Sequence, residues 1–543
     1  MRNLRIAFLA ICVSILAFWI GRNAHRNKAT FTPPQTVRAA IDEEDPIERE
    51  PLTSFDSVGS VAEPTIPEES TFALANELLI SFSNIEAMNE FELKAKQRGL
   101  RILDRSEALA SLRLQYRNEA DRNLMGRLAG DDASIDRNYI VVTPTLPESP
   151  ANVGSRAFAD GALDWIGIRE DNSSWGKGVT VAILDTAILD HASLTDASIR
   201  VVDLAKSEGS DQEIYNSHGT AVASLVAGAD IGVAPSASII GIQVMESNGT
   251  GDSFTLAQGI VEAVDQGASV ISMSLGSYGS SAPLENAINY ALERDVVLVA
   301  SAGNDSFGAL TYPARHDGVI GVTAIDSASQ TASFSNFGLG TDIAAPGVGI
   351  YAAWNESEWA SFSGTSASTP LVAGSVAAIL SLEPNLQPNE AADLLLEYAN
   401  DSGPAGDDLY LGAGALNIER VLERNQRGIA DASVADIYLD TNAANQGTIP
   451  LQINVENRGT ETLRSTSISF QENDGMRQRI YLGSIPANDT ATHTLYLNES
   501  LLEQPSGYSI QVDTILGNQN DDRPENDSLS RQMRLKPSSG EEG

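Results

Sequence analysis

The sequence has a single cysteine in 543 residues and far fewer basic than acidic side chains. Because Cys12 lies in an N-terminal apolar run, the rest of the chain can contain no disulfide, thiolate metal site or cysteine nucleophile. Lysine and arginine number 35 against 73 aspartates and glutamates, which gives a net charge of −38. That excess, with no basic patch, argues against nucleic acid and anionic membrane surfaces as partners.

The composition that remains is that of a folded chain with several domains. Hydrophobic residues make up 42%, enough for a buried core, and the length allows three or four folded units. The 44 glycines and 22 prolines do not reach the levels of collagen-like or wholly disordered chains.

The N-terminal segment predicts export. Arg2 and Arg5 precede the apolar run Ile6 to Ile20, a pattern typical of a secretory signal. No small-residue cleavage site follows and basic residues come next, so 1–28 is a signal peptide or an uncleaved signal anchor, with both open. We expect a secreted, periplasmic or envelope-anchored protein, which contacts a membrane only through this segment if the segment is uncleaved. Residues 29–75, rich in Pro, Glu, Thr and Ser, are predicted to form a disordered linker.

Two predicted domains and a linker follow. Residues 76–143 predict a small βαββαβ unit whose last strand is Tyr139 to Val142. Residues 144–159, with three prolines, predict an exposed linker where cleavage is easy. In 160–425 short apolar strands alternate with helices, which favours a doubly wound, mostly parallel α/β sheet. The strands predicted there are Val179 to Leu184, Ile239 to Val244, Val270 to Met273, Val296 to Ala300 and Val319 to Ala324.

After Gln426 the pattern changes to alternating polar and apolar residues separated by turns. The strands predicted there are Ile449 to Val455, Thr466 to Phe470, Ile480 to Leu482, Thr492 to Leu497 and Tyr508 to Val512. The pattern predicts an antiparallel β-sandwich over 430–537, followed by an acidic tail at 538–543.

Three side chains in the α/β region are candidates for catalysis. Asp185 closes a buried strand, at the edge where functional groups gather in open α/β sheets. His218 opens a helix of small residues, and Ser366 precedes an apolar helix whose N-terminus would stabilise negative charge.

The segments around these residues resemble the signature blocks of subtilisin-like serine proteases, in that family's order. They are Ile183-Leu184-Asp185-Thr186, His218-Gly219-Thr220-Ala221-Val222-Ala223, Ser274-Leu275-Gly276, Ser301-Ala302-Gly303-Asn304 and Gly364-Thr365-Ser366. The resemblance covers about half the chain, and five blocks in order are far more specific than any one alone. It implies a subtilisin-like fold and a serine endopeptidase.

The resemblance also implies roles. Ser366 is the nucleophile, His218 the base and then the acid, Asp185 the group that orients the imidazole, and Asn304 an oxyanion-hole donor. Peptide substrates would bind as an extended strand. The implied substrate-binding residues are Asn248, Gly249, Thr250, Gly251, Ser274, Leu275, Gly276, Ser301, Ala302, Gly303, Asp305 and Thr311.

Departures from the family pattern leave the chemistry intact. Ala187, Ala221, Ala367 and Leu371 replace residues common in the family, and none of them removes a chemical role. The segment after Gly228 is too short for the family's high-affinity calcium loop, so we expect no metal site there and no required cofactor. Weak calcium binding elsewhere stays open. At the pocket rim, Asp305 either favours lysine and arginine or is a solvated loop carboxylate.

By the same resemblance, 76–143 is a ferredoxin-like propeptide that inhibits the enzyme and is removed between about 143 and 160, although an accessory domain is the alternative. The C-terminal region resembles an immunoglobulin-like, adhesion-type sandwich. Two other functions remain open. One is a catalytically silent scaffold that acts as a surface binding or adhesion protein, and the other is a maturation protease that cleaves one partner at a basic site.

Overall fold

A computed structural model describes residues 69–144, 155–205, 217–355, 357–445, 447–473, 475–504 and 507–534. The predicted signal, most of the first linker and the acidic tail lie outside these residues. The helices are α1 (Ile85–Gln97), α2 (Glu119–Ala129), α3 (Ala162–Trp165), α4 (His218–Ala227), α5 (Ser253–Asp265), α6 (Ala282–Leu292), α7 (Thr365–Leu382), α8 (Pro388–Glu397), α9 (Ile418–Glu423) and α10 (Glu499–Leu502).

The first sheet has four strands and is covered by α1 and α2, with the strand order β2-β3-β1-β4. Its strands are β1 (Glu77–Ser81), β2 (Arg101–Ser106), β3 (Ser111–Gln115) and β4 (Ser134–Asp136). Both helices begin as the sequence suggests, with Asn84 and Asn118 accepting backbone hydrogen bonds as N-caps.

The last strand of this unit differs from the prediction. We expected Tyr139 to Val142, but the fourth strand is β4, which is polar and mostly exposed and therefore shows no alternation. The apolar strand β5 (Ile140–Val142) instead pairs antiparallel with β9 (Thr250–Asp252) of the next region. The apolar residues of β5 thus reflect packing between two regions rather than within one.

A seven-stranded sheet forms the centre of the molecule, and all of its pairs are parallel. Its order is β13-β12-β11-β10-β6-β8-β7. The strands are β6 (Thr180–Asp185), β7 (Ser198–Asp203), β8 (Ser238–Gln243), β10 (Val270–Met273), β11 (Val297–Ser301), β12 (Val319–Ile325) and β13 (Ile343–Pro346). The five predicted strands are confirmed to within about one residue, whereas the edge strands β7 and β13 were missed.

Helices cover both faces of this sheet, which is why its strands are apolar on both sides. One face packs against α4 and α7, and the other against α5 and α6. Helix α7 is long and apolar enough to cross a membrane by length and composition, but 89% of its most apolar window is buried inside the protein. Near its start lies the hairpin β14 (Ile350–Ala353) and β15 (Trp359–Phe362).

The C-terminal region consists of two antiparallel sheets, β16-β17-β20 and β19-β18-β21-β22, that share one apolar cluster. Their strands are β16 (Ala432–Leu439), β17 (Thr448–Asn457), β18 (Leu463–Glu472), β19 (Gln478–Ile485), β20 (Thr490–Asn498), β21 (Tyr508–Leu516) and β22 (Ser528–Met533). The first and last strands were not predicted. The buried Arg420 of α9 forms an ion pair with Glu456 of β17, so the region is joined to the central one by a buried charge pair.

Candidate active site

The end of β6 and the start of α4 bring Asp185 and His218 together. Nδ1 of His218 lies 2.8 Å from Oδ1 of Asp185, and both side chains are buried. Gly219 allows this approach, because a Cβ there would overlap the Thr186 carbonyl, and its N–H donates to Thr186 Oγ1 at 2.9 Å. Since the carboxylate accepts from Nδ1, the lone pair of the neutral imidazole is on Nε2. Nε2 is buried and has no hydrogen-bond partner among the described residues.

Ser366 lies in the first turn of α7, which begins at Thr365 and so includes the residue that the sequence placed before the helix. Pro370 stands four residues later inside the helix and has no N–H to give to the Ser366 carbonyl. Ser274 replaces that bond, since its Oγ donates to the Ser366 oxygen at 3.0 Å. The Ser366 hydroxyl donates to the Ser274 carbonyl at 3.4 Å, so the two serines hold each other at the end of β10.

Asn304 follows β11 and faces the same helix start. Its Oδ1 accepts from the Thr365 N–H at 3.0 Å and from Thr365 Oγ1 at 2.9 Å. These bonds fix which end of the amide is the oxygen, so Nδ2 is on the other side. There it approaches Gly364, which has a φ of 130° and where a Cβ would lie 2.7 Å from Nδ2. Only glycine suits both the conformation and the contact.

The hairpin β14–β15 packs against the histidine. The ring of Phe362 lies 5.3 Å from the imidazole of His218 and nearly perpendicular to it. At the tip of the hairpin, Asn355 accepts a hydrogen bond from Ser217, the residue before the histidine. His218 is therefore held by β6 on one side and by the hairpin on the other.

An extended segment of the chain already lies beside these groups. Val142 exchanges backbone hydrogen bonds of 2.9 Å with Gly276 in both directions, and Thr143 N–H donates to the Gly249 carbonyl at 3.0 Å. On the other side, β5 pairs with β9, so that Val141 lies opposite Gly251 and Val142 opposite Thr250. Two of the predicted substrate-binding segments thus flank one extended strand.

Comparison with known proteins agrees with this geometry. Residues 176–414 match the model of the subtilase family. Subtilisin Savinase of Lederbergia lenta is 39% identical over 250 residues, which are 45% of this chain and 90% of that protein. The chain belongs to the subtilase family. It is a subtilisin-like serine endopeptidase, as its sequence resemblance implied.

Two further similarities describe the extent of the match. The alkaline protease of Shouchella clausii is 39% identical over 250 residues, and the matching part spans 64% of that protein. Fervidolysin of Fervidobacterium pennivorans, a keratinolytic enzyme related to subtilisin, has a TM-score of 0.57 over 83% of this chain and 72% of its own, at 22% identity. That likeness concerns the fold alone, and it confirms the subtilisin-like fold.

The remaining predicted residues of this subtilase lie on the segments that follow β10 and β11 and on the turn before β9. Because β10 and β11 are parallel neighbours, Ser274 to Gly276 and Ser301 to Gly303 leave the sheet side by side. Thr311 is buried and donates to the Ser301 carbonyl at 3.2 Å. Asp305 accepts a hydrogen bond from Tyr278. Asn248 accepts from Thr250 N–H at 2.9 Å and shapes the turn before β9.

The sequence reading missed four residues that build this subtilase site, namely Thr365, Phe362, Tyr278 and Asn336. Asn336 is fully buried, and its Oδ1 accepts from the backbone N–H groups of Asp305 and Phe307, both at 2.9 Å. The bond from Ser274 to the Ser366 carbonyl did have a signal in the sequence. Pro370, inside a helix, leaves a carbonyl that needs another donor. In the described part of the chain no three acidic, histidine or cysteine side chains group as a metal site, and weak calcium binding stays a prediction.

Proposed function

We propose that Asp185, His218 and Ser366 form the catalytic triad of an exported endopeptidase made as a self-processing precursor. The Ser366 hydroxyl attacks the peptide carbonyl while Nε2 of His218 takes its proton, after rotation of Oγ away from the Ser274 carbonyl. The same proton then goes to the leaving amine, which departs as the C–N bond breaks. Water, deprotonated by His218, then attacks the resulting ester, the bond to Ser366 Oγ breaks, and His218 returns the proton to that oxygen as the acid leaves. No cofactor is needed for these steps.

Positive charge develops on the imidazole and negative charge on the tetrahedral oxygen during the reaction, and a group of the protein stabilises each. Asp185 stabilises the imidazolium through its contact with Nδ1. The tetrahedral oxyanion would receive hydrogen bonds from Nδ2 of Asn304 and from the backbone N–H of Ser366, in the first turn of α7 where amides lack helical partners.

The observation that carries the precursor proposal is the pairing of β5. An extended strand that bonds to β9 and Gly276 at once occupies the edges where a substrate strand would bind. The region before it would therefore act as an inhibitor until the linker is cut, between about 143 and 160. The N-terminal apolar run with its preceding arginines supports export.

The test compares the full wild-type chain with Ser366→Ala, using Ser375→Ala as the matched control. Ser375 lies in the same helix and its hydroxyl donates to the Leu371 carbonyl, away from the site. We expect a fluorophosphonate probe to label the wild type and Ser375→Ala but not Ser366→Ala. N-terminal sequencing should find a mature start within 144–160 in the labelled proteins and an intact precursor in Ser366→Ala.

Other outcomes separate the alternatives. A folded, unlabelled wild-type chain would favour the silent scaffold. Labelling of a chain that keeps residues 76–142 would reject the precursor proposal and leave the protease. Cleavage of a single basic site with no turnover of casein would favour a dedicated maturation protease.

A further inference from the structure

Thr311 lies between the segments that follow β10 and β11, which are the two predicted walls of the specificity pocket. A Cβ added to Gly276 would lie 2.6 Å from the Thr311 Cβ, and one added to Gly303 would lie 3.0 Å from its Cγ2. The threonine side chain therefore contacts both walls at once. Its Oγ1 donates to the Ser301 carbonyl, so the side chain cannot rotate away without losing that bond, and its N–H donates to the Ala302 carbonyl at 2.9 Å, which fixes the backbone.

A second group closes the rim of the same space. The phenol of Tyr278, which continues one wall, donates a hydrogen bond to the carboxylate of Asp305, which continues the other. Asn336 Nδ2 donates to the same phenol oxygen at 3.0 Å, and the Tyr278 ring packs between Phe72 and Phe307. Burial and the neighbouring carboxylate raise the pKa of Tyr278, so the phenol keeps its proton. The Asp305 carboxylate is already bound by a neutral donor.

The register of β5 identifies the substrate residue that meets this space. Val142 lies opposite Gly276 in an antiparallel arrangement, so the position two residues further on, Pro144, falls opposite Ser274. Ser274 is the residue that exchanges hydrogen bonds with Ser366. A substrate in this register therefore places the residue before its scissile bond opposite Ser274, with its side chain between the walls. Pro144, a compact residue, is buried.

We propose that this protease cleaves after small uncharged residues, such as glycine, alanine and serine, because Thr311 and the Tyr278–Asp305 bridge limit the pocket. The proposal rests on the triad function above. It also decides between the two roles for Asp305, since a carboxylate engaged by Tyr278 across a narrowed pocket does not select lysine or arginine.

The primary test uses the mature wild-type enzyme and peptide nitroanilides that differ only in the residue before the scissile bond. We expect kcat/KM for alanine to exceed that for phenylalanine, leucine and lysine by at least about ten-fold, since crowding a close-packed site is costly. A wild-type preference for phenylalanine or lysine over alanine would overturn the proposal, whatever the variants do. If the probe labels Ser366 in that case, the protease function stands.

Variants then test which residues restrict the size and charge of the substrate residue before the scissile bond. Thr311→Gly should raise kcat/KM for phenylalanine and leucine about ten-fold or more, and Thr311→Ser, which keeps the hydroxyl, should lie between. Tyr278→Phe should raise the ratio of lysine to leucine cleavage, and adding Asp305→Asn should remove that gain. Tyr290→Phe, on α6, removes a phenol bonded to Asp265 at the end of α5 and serves as the matched control. Labelled Thr311→Gly enzyme with an unchanged profile would reject the role of Thr311, and absence of labelling throughout would reject this proposal together with the triad function.

Discussion

At the residue scale, the start of α7 depends on a substitution of one hydrogen bond for another. Pro370 leaves the Ser366 carbonyl without a helical donor, and Ser274 supplies one from the neighbouring strand end. The proposed nucleophile is thereby tied to the pocket wall rather than only to its own helix. Thr365, in the same first turn, holds Asn304 through two hydrogen bonds. The nucleophile and the proposed oxyanion donor are therefore both fixed to the start of α7.

Asn304→Ala should lower kcat about 10²- to 10³-fold with little change in KM, because the amide is proposed to act only on the charge of the transition state. That loss is the size known for the equivalent donor in a subtilisin. Steady-state kinetics on an alanine nitroanilide would measure it. Asn389→Ala, on the surface of α8, is the control. A kcat within about three-fold of wild type would show that Asn304 does not stabilise the oxyanion.

At the element scale, the best predicted strands and helices are those whose apolar residues pack within their own domain. The strands β10 and β12 and the helix α1 appear as expected, since burial on one or two regular faces leaves a readable period. The strand β4 was missed because its side chains are exposed, and β5 was assigned to the wrong sheet because its partner lies more than 100 residues away. Pairing partners of this kind leave no local pattern.

The residues of the candidate site also fall into those that a local sequence pattern indicates and those that it does not. Asp185, His218 and Ser366 stand in signature segments that can be recognised together from their order along the chain. Tyr278 and Asn336 lie in irregular loops, and they matter only because the fold brings them to Asp305. No spacing along the chain could have linked these three residues.

An ion pair joins the N-terminal sheet to the start of α5, and its removal can be tested. Arg113 of β3 bonds to Glu77 and, at 2.9 Å, to Asp252, the N-cap of α5 at the end of β9. Arg113→Gln leaves these two carboxylates without their shared cation, which should loosen the sheet from β9. In the full-length Ser366→Ala chain, we expect amide hydrogen exchange in β5 to quicken about ten-fold.

Arg101→Gln is the matched control, because Arg101 lies on the same sheet and its guanidinium bonds to the neutral Gln115 on the exposed face. Its exchange rates in β5 should equal those of the parent chain. Equal protection of β5 in the Arg113 and Arg101 variants would show that the ion pair does not hold the strand in place.

At the scale of the whole molecule, the central and C-terminal regions share buried polar groups. Asn454 Nδ2 donates to the Gly403 carbonyl at 2.8 Å, and Thr490 Oγ1 donates to Asp401 at 2.9 Å. Arg420, buried beneath them, bonds to Glu456. Contacts of this kind are costly to separate, because each partner would be left with an unpaired buried group. We therefore expect the two regions to unfold together.

Asp401→Asn should stabilise the chain in a pH-dependent way. Burial raises the pKa of Asp401 to about 6, with Glu456 adding to the rise and Thr490, Gly406 and Arg458 opposing it. The folded state thus binds a proton more tightly than the unfolded chain, so stability falls as pH rises from about 4 to 6. Thermal unfolding of the Ser366→Ala chain, which cannot digest itself, should show the asparagine variant more stable by on the order of 1–2 kcal/mol at pH 7.5. That gain should disappear near pH 4. Asp489→Asn, exposed beside Thr490, should show neither effect, and a gain for Asp401→Asn that is the same at both pH values would contradict the assignment.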